Sequence, residues 1–202
     1  NINPVHWVEI TKVITDEMNK GIDGILILFG TDTMAYFSAW LSLCFPHLGI
    51  PVVLTGSQLT LDYKTEDVTV NLSGAFQVVC SEFPGVWIYC NWKLIPGDRA
   101  HKSRALNPDM FVAVDGKTVD FEPKLPEKDI EISSQIQRDY EFADDLKNAL
   151  NSSTQKIHQV GSQVDWLMCV PGVEPKIRQG KKIICLFGFG AGNAPSYVLE
   201  YL

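Results

Sequence analysis

The stretch GILILFGTDT, residues 24–33, decides the fold class of this chain. Its apolar part, residues 24–29, is a continuous hydrophobic run, which is typical of a strand buried on both faces of a sheet. A glycine and polar residues follow, and a helix is predicted from about Thr33 to Phe45, where Pro46 ends it. A buried strand that leads directly into a helix is the first half of a βαβ unit, so the stretch predicts a parallel sheet covered by helices.

The same alternation continues on both sides of this stretch. The predicted segments are a helix over 7–18 closed by Gly21, a strand over 52–54, a helix with Val68, Leu72, Ala75, Phe76 and Val79 on one side, and a strand over 86–90. Buried strands that alternate with helices of about a dozen residues indicate an α/β fold with a doubly wound parallel sheet.

The character of the chain changes beyond Lys102. Residues 111–114 and 118–121 flank an Asp-Gly pair and predict a hairpin. The segment 122–160 is polar and charged, with a possible helix over 139–150, and is interpreted as a linker. Apolar runs over 166–170 and 183–187 then predict a second, smaller α/β unit. The predicted organisation is one α/β domain over 1–121, a linker over 122–160 and the start of another α/β domain over 161–202.

Composition excludes several classes of function. The chain has 202 residues, a formal net charge of −7 and 46% hydrophobic residues. The acidic balance argues against a nucleic-acid partner, which would need a basic face. No apolar run approaches the roughly 18 residues of a membrane span. Five cysteines without a C-x-x-C pair and four histidines without ligand spacing indicate neither a disulfide framework nor a metal site.

Polar clusters follow each predicted strand. They are Gly30–Thr33, Thr55–Gln58 and Gly97–Lys102. Ligands of parallel α/β sheets bind beyond the carboxyl ends of the strands. We therefore expect the three clusters to converge at one edge of the sheet and to form a site there.

Each candidate residue also has a plainer interpretation. Thr31 and Asp32 stand where a helix begins, so N-capping is the alternative to chemistry. Lys102 lies in a segment with Arg99, His101 and Arg104, where a solvated basic loop is the alternative. Near Thr31 and Asp32, a neutral lysine could take the threonine proton, whereas a charged lysine could orient the carboxylate. The residues alone leave both possibilities open.

Several motifs now carry a family resemblance. GTDTMAY at 30–36, GIPVVLTGSQ at 49–58, GDRAHK at 97–102 and GAGNAP at 190–195 occur in the order seen in one enzyme family. The chain resembles the L-asparaginase family of the bacterial type, and the cytoplasmic type I branch in particular. The resemblance covers most of the chain and is weakest over about 115–164.

The resemblance implies an activity and a set of roles. It implies hydrolysis of L-asparagine to L-aspartate and ammonia through an acyl-enzyme on a threonine, with no metal or organic cofactor. Thr31, Asp32 and Lys102 would form the companion catalytic set, and Thr31 and Asp32 would also bind the substrate. Asn193 would approach the site of a neighbouring subunit and bind the substrate there. A homodimer or homotetramer in the cytoplasm is implied as well.

The sequence departs from the family in ways that matter for activity. No T-G-G-T turn with the first nucleophilic threonine occurs, Phe29 replaces a histidine, and Thr60 replaces a proline. The chain opens without Met and stops within a helical pattern at Leu202. We therefore expect a piece of a larger polypeptide, truncated at both ends, with the first strands of its N-terminal domain missing. Whether the chain acts alone is left open.

Two further interpretations compete with a working asparaginase. One is a catalytically inactive asparaginase-like protein that serves in binding or assembly. The other is the D subunit of glutamyl-tRNA amidotransferase, which resembles asparaginase and supplies ammonia to a partner. That protein carries an extra N-terminal domain that this chain does not show, and the spacing around Lys102 fits a free asparaginase better.

Overall fold

The computed structural model describes residues 2–59, 61–64, 66–116, 118–122, 142–169, 173, 176, 178–188, 194 and 198. Contacts divide the chain into two compact units, Asn1–Leu150 and Asn151–Leu202. The division falls inside the segment predicted as a linker, and the predicted domain boundaries themselves stay a prediction.

The first unit is built around one mixed sheet. Its elements in chain order are α1 (Pro4–Met18), β1 (Ile25–Leu28), α2 (Thr31–Cys44), β2 (Pro51–Thr55), α3 (Val68–Val79), β3 (Gly85–Cys90), β4 (Lys93–Pro96), β5 (Ala100–Lys102), β6 (Phe111–Ala113) and β7 (Val119–Asp120). The strand order is β1-β2-β3-β4-β7, and β5 pairs with β6 in a separate ribbon. The pairs β1–β2 and β2–β3 are parallel, as predicted.

Helices cover both faces of this sheet. Every residue of β2 is buried, and its side chains alternate between two cores. Val52 and Leu54 join Phe37 of α2 on one face, whereas Val53 joins Ala75 of α3 on the other. A central strand buried on both faces is mainly apolar, and its one polar side chain, Thr55, donates to the Tyr89 carbonyl oxygen. The predicted α/β class is therefore confirmed, and the sheet also carries antiparallel strands.

The buried face of α3 differs from the predicted one. Leu72 and Phe76 are 39% and 60% exposed, whereas the helix buries Asn71, Gly74, Ala75 and Val78. A β-carbon at Gly74 would stand only 2.1 Å from ring atoms of Tyr89. The missing side chain thus lets this helix approach the sheet closely along its small residues, and of the predicted apolar set only Ala75 lies on that stripe.

A hairpin that the sequence did not predict joins β3 to β4. Asn91 and Trp92 both have positive φ, 49° and 58°, and Cys90 pairs directly with Lys93. Two central residues of this kind form a type I′ turn, which usually shows Asn-Gly or Asp-Gly. Because Trp92 occupies the glycine position, the usual signal of the turn is absent from the sequence.

The predicted hairpin over 111–121 is wrong. Strand β6 pairs with β5, whereas β7 pairs with β4 in the main sheet. Asp115 does turn the chain, with φ of 76°, but the Val114 N–H donates to the Arg99 carbonyl oxygen. The turn therefore passes the chain from the ribbon to the main sheet instead of folding it back on itself.

The second unit contains a parallel strand pair. The helix α4 (Phe142–Gln163) crosses the division and continues beyond the predicted end at Leu150. It leads into β8 (Val164–Met168), which pairs with β9 (Ile183–Phe187). One face of the pair packs Leu167 in a small core with Val198. The tandem Asn-Ser-Ser-Thr after Leu150 has weak helix propensity, which is why the sequence suggested an earlier end.

Candidate active site

Thr31 and Asp32 occupy the first turn of α2. The N-cap is Gly30, and no side chain caps the helix. The capping interpretation of these two residues therefore fails, and their side chains are turned to other partners. A carboxylate in the first turn is favourable because the helix N-terminus carries partial positive charge.

Lys102 meets both residues. Its Nζ donates to Thr31 Oγ1 at 2.8 Å and to Asp32 Oδ1 at 2.6 Å. The structure thus brings together the three residues that were predicted as catalytic. The Lys102 side chain is 14% exposed and that of Asp32 is 92% exposed. The lysine amine is largely withdrawn from water, while the carboxylate faces solvent.

Lys102 reaches the site by a route the sequence did not predict. After β3 the chain runs back along β4, so the Gly97 N–H bonds the Val86 carbonyl oxygen near the start of β3. Strand β5 then returns the chain to Thr31. The start of the Gly97–Lys102 cluster therefore lies away from the site, and Arg99 is paired with Asp115 instead. The expected convergence of all three clusters is wrong for this part of the third one.

Phe29 anchors the turn between β1 and α2. Its ring stacks on Phe37 with centroids 4.8 Å apart, and its N–H donates to the Thr55 carbonyl oxygen at 2.9 Å. It is 8% exposed. The aromatic residue that departs from the family pattern is thus a core residue that fixes where Thr31 leaves the sheet.

The loop after β2 lies against the same turn. A β-carbon added at Gly56 would stand 2.4 Å from the Phe29 carbonyl oxygen and 3.3 Å from Thr31 Cγ2. Only glycine permits so close an approach. Asn71 Nδ2 donates to the Gly56 carbonyl oxygen at 2.9 Å, and Asp67 accepts from two backbone N–H groups of the same loop.

Sequence reasoning assigned no role to Asp67 and Asn71. They are 8% and 1% exposed, and buried polar side chains of this kind are normally there to satisfy specific partners. Their spacing of one helical turn at the start of α3 was the available signal. Asn193, predicted to contact the substrate, lies outside the described residues.

Two cysteine thiols are unreactive near neutral pH. Burial raises the pKa of the Cys90 thiol to about 12 and that of Cys44 to about 11, so neither forms a thiolate near neutral pH.

Within the described part of the chain, no three His, Cys, Asp or Glu side chains cluster in a way that could hold a metal ion. Among the described helices, none has the length and apolar character needed to cross a bilayer.

Comparison with known families finds one match. The family model "Asparaginase, N-terminal" matches residues 1–138. Among curated relatives, the D subunit of the glutamyl-tRNA(Gln) amidotransferase of Pyrococcus abyssi is 26% identical over 98% of this chain and 46% of its own length. The L-asparaginase of Thermococcus kodakarensis is 35% identical over 56% of this chain and 34% of its own length.

Solved structures share the fold. The thermostable L-asparaginase from Thermococcus kodakarensis superposes with a TM-score of 0.66 and 27% identity, over 96% of this chain and 56% of that one. A probable cytoplasmic L-asparaginase from Campylobacter jejuni gives a TM-score of 0.62 at 23% identity, over 99% of this chain and 63% of that one. The chain spans about half the length of the amidotransferase D subunits that it matches, 46% and 49% in two of them.

Proposed function

The chain belongs to the asparaginase family, and from that membership we propose that it is an amidohydrolase that converts L-asparagine and water to L-aspartate and ammonia. The observation that carries the proposal is the contact of Lys102 Nζ with both Thr31 Oγ1 and Asp32 Oδ1. A hydroxyl, an amine and a carboxylate in one chain of hydrogen bonds can move a proton without histidine.

Thr31 is proposed to transfer the proton of the reaction. Because its Oγ1 accepts from Lys102, its own hydrogen can be donated to a water or a substrate atom. Loss of a proton from Thr31 to a neutral Lys102 amine would make the hydroxyl a base or nucleophile, and a charged Lys102 would instead stabilise the developing oxyanion. Asp32 orients the lysine in either case.

Asp32 is also proposed to bind the substrate. Its carboxylate is 92% exposed although it is paired with Lys102, so a further positive group can approach it. The α-amino group of asparagine is such a group, and charge-assisted hydrogen bonds are about twice as strong as neutral ones. The proposed reaction uses no metal or organic cofactor.

The assembly is part of the proposal. Family resemblance implies a homodimer or homotetramer in the cytoplasm, in which Asn193 approaches the site of the neighbouring subunit. Sedimentation of the native polypeptide that contains this chain would measure the assembly. A monomer with full activity would contradict this part of the proposal.

Ammonia release tests the catalytic proposal. The native polypeptide, Thr31→Ala and Lys102→Ala should be compared with L-asparagine as substrate. Lys93→Ala is the matched control, because Lys93 forms a 2.7 Å ion pair with Asp109 instead of Asp32. We expect activity to fall by about 100-fold or more in the first two variants and to persist in the control. Full activity in Lys102→Ala would overturn the proposal.

A second candidate is the ammonia-producing component of a tRNA-dependent amidotransferase. Similarity to the amidotransferase D subunits extends over 98% and 99% of this chain, whereas that to the Thermococcus kodakarensis asparaginase extends over 56%. Ammonia release that requires a partner protein and glutamyl-tRNA would favour this candidate. Binding of asparagine without turnover in any of these assays would instead indicate an inactive binding protein.

A further inference from the structure

Asp67 stands at the N-cap of α3 but does not cap that helix. No side-chain capping bond is made. Instead, Oδ1 accepts from the Leu59 N–H at 2.8 Å and Oδ2 from the Gln58 N–H at 3.0 Å. The Thr69 N–H of the helix donates to Glu66 Oε2 at 2.8 Å instead. The buried carboxylate of Asp67 is thus committed to the loop that follows β2.

Asn71 connects this loop to the rest of the sheet edge. Its Nδ2 donates to the Gly56 carbonyl oxygen at 2.9 Å and to Asp67 Oδ2 at 3.2 Å. Its Oδ1 accepts from the Asn91 N–H at 2.9 Å, in the turn after β3. The side-chain polar atoms of Asp67 and Asn71 thus all have partners, and rearranging either side chain would leave buried polar groups without them.

The loop after β2 borders Thr31 at its methyl group. A β-carbon at Gly56 would lie 3.3 Å from Thr31 Cγ2, so the Gly56 main chain lies beside that methyl. The methyl and hydroxyl of threonine share one carbon, and rotation about χ1 moves both together. Turning the hydroxyl away from Lys102 would therefore also take the methyl out of its packing beside Gly56.

We propose that Asp67 and Asn71 are positioning residues that hold Gly56 against the Thr31 methyl and so keep the Thr31 hydroxyl in the rotamer that meets Lys102. The kinetic consequence of this inference rests on the proposed function, whereas its structural content does not. Without the network, Gly56 can withdraw and the hydroxyl can leave Lys102. A misplacement of about 1 Å costs an enzyme about 100-fold in rate.

The first test is a kinetic comparison on the native polypeptide. Asp67→Asn keeps the shape of the side chain but replaces one acceptor by a donor that faces backbone N–H groups. We expect kcat to fall about 10- to 100-fold while KM stays within about twofold. Tyr89→Phe is the control, because it removes a bond from the buried Tyr89 hydroxyl to the Phe121 carbonyl oxygen without touching the loop. It should lower the melting temperature and leave kcat unchanged.

A double-mutant cycle tests whether Asp67 acts on the Thr31 hydroxyl through the contact of Gly56 with the Thr31 methyl group. Thr31→Ser retains the hydroxyl and removes the group on which Gly56 acts. We expect this substitution alone to lower kcat, and Asp67→Asn to cost little more in its background. Full kcat in Thr31→Ser, or effects of the two substitutions that multiply, would overturn the proposal. The result for Thr31→Ser alone does not depend on the folding of Asp67→Asn, because Thr31→Ser leaves the buried network intact.

The second test needs no turnover. Three-bond couplings from the Thr31 methyl carbon to the backbone nitrogen and carbonyl carbon report χ1 in solution. We expect one rotamer in the parent and in Tyr89→Phe, and averaged couplings in folded Asp67→Asn. A single rotamer in Asp67→Asn would overturn the inference. The parent could show a single rotamer and averaged couplings in Asp67→Asn, yet release no ammonia. That result would support the positioning role and contradict the proposed function.

Discussion

Asp32 and Lys102 form an ion pair whose two partners differ in exposure: the lysine side chain is 14% exposed and the aspartate 92%. Lys102 lies at the end of β5 and contacts the start of α2, whereas the Asp32 side chain faces solvent. Because water reaches the aspartate, solvent screening weakens the attraction within the pair, and we expect its contribution to stability to be small. The pair does hold a carboxylate at a defined place.

Asp32→Asn should therefore reduce activity far more than stability. We expect kcat/KM for L-asparagine to fall about 100-fold or more, since both the substrate amine and Lys102 lose their counter-charge. The free energy of unfolding should fall by only about 1–2 kcal/mol, because asparagine keeps an oxygen that can accept from Lys102 Nζ. Steady-state kinetics and urea unfolding measure the two effects. Asp98→Asn, which loses only a 3.8 Å pair with Arg99, should change neither, and equal effects in both variants would contradict the prediction.

Gly56→Ala should disturb both the core and the site. The new methyl would stand 2.4 Å from the Phe29 carbonyl oxygen and 3.0 Å from Met34 Cε, so the loop must move. We expect a loss of about 1–3 kcal/mol in the free energy of unfolding, together with a lower kcat. Gly161→Ala is the contrast, because nothing lies within 4 Å of its added carbon and alanine favours a helix. A stable and fully active Gly56→Ala would refute this account of the loop.

Gly74→Ala should destabilise the first unit through the packing of α3 on Tyr89. The added carbon would fall 2.1 Å from Tyr89 ring atoms, and Tyr89 is fully buried. We expect a loss of about 1–3 kcal/mol or more, measured by thermal or urea unfolding. Gly74→Ala should cost less in a Tyr89→Leu background than in the parent, because the smaller side chain makes room. An equal cost in the two backgrounds would mean that the ring is not the obstacle.

Alkaline pH should weaken the folded state through Cys90. Burial raises the pKa of its thiol from 9.0 to about 12 in the folded chain. Between these two values the unfolded chain loses this proton and the folded chain keeps it, so the stabilising contribution is complete below pH 9 and is lost as pH rises towards 12. Urea unfolding between about pH 8 and 11 measures the slope.

Cys90→Ala should flatten that slope, although the cavity lowers stability at every pH. Cys80→Ala is the matched control because Cys80 is exposed. A slope that is the same in Cys90→Ala and the parent would show that other groups, such as Tyr89 with its pKa raised to about 12 by burial, carry the effect.

The parallel core was predictable because it rests on local patterns. Three apolar runs and the helices between them give the β1–β2–β3 pairing, and residues at the ends of strands gave Thr31 and Asp32. Lys102 was predicted by its motif, but its path was not. That path depends on a turn at Asn91 and Trp92, and a tryptophan with positive φ has no recognisable signal in the sequence.

Asp67 shows a different limit of the sequence. An aspartate before a helix predicts an N-cap, and position 67 is indeed the N-cap of α3. Which N–H groups its carboxylate accepts from depends on where a loop eight residues earlier returns. That choice is made by tertiary contacts. Local sequence therefore locates the residue and suggests the wrong partner for its side chain.

The bond between Lys102 and Thr31 joins positions 71 residues apart in the chain. Closing so long a loop costs entropy that is recovered only when the intervening strands are in place. Local helices and the β3–β4 hairpin can form before it, but the lysine reaches the threonine only after β5 has docked. We therefore expect assembly of the site to be a late event in folding, which a probe on Thr31 would report.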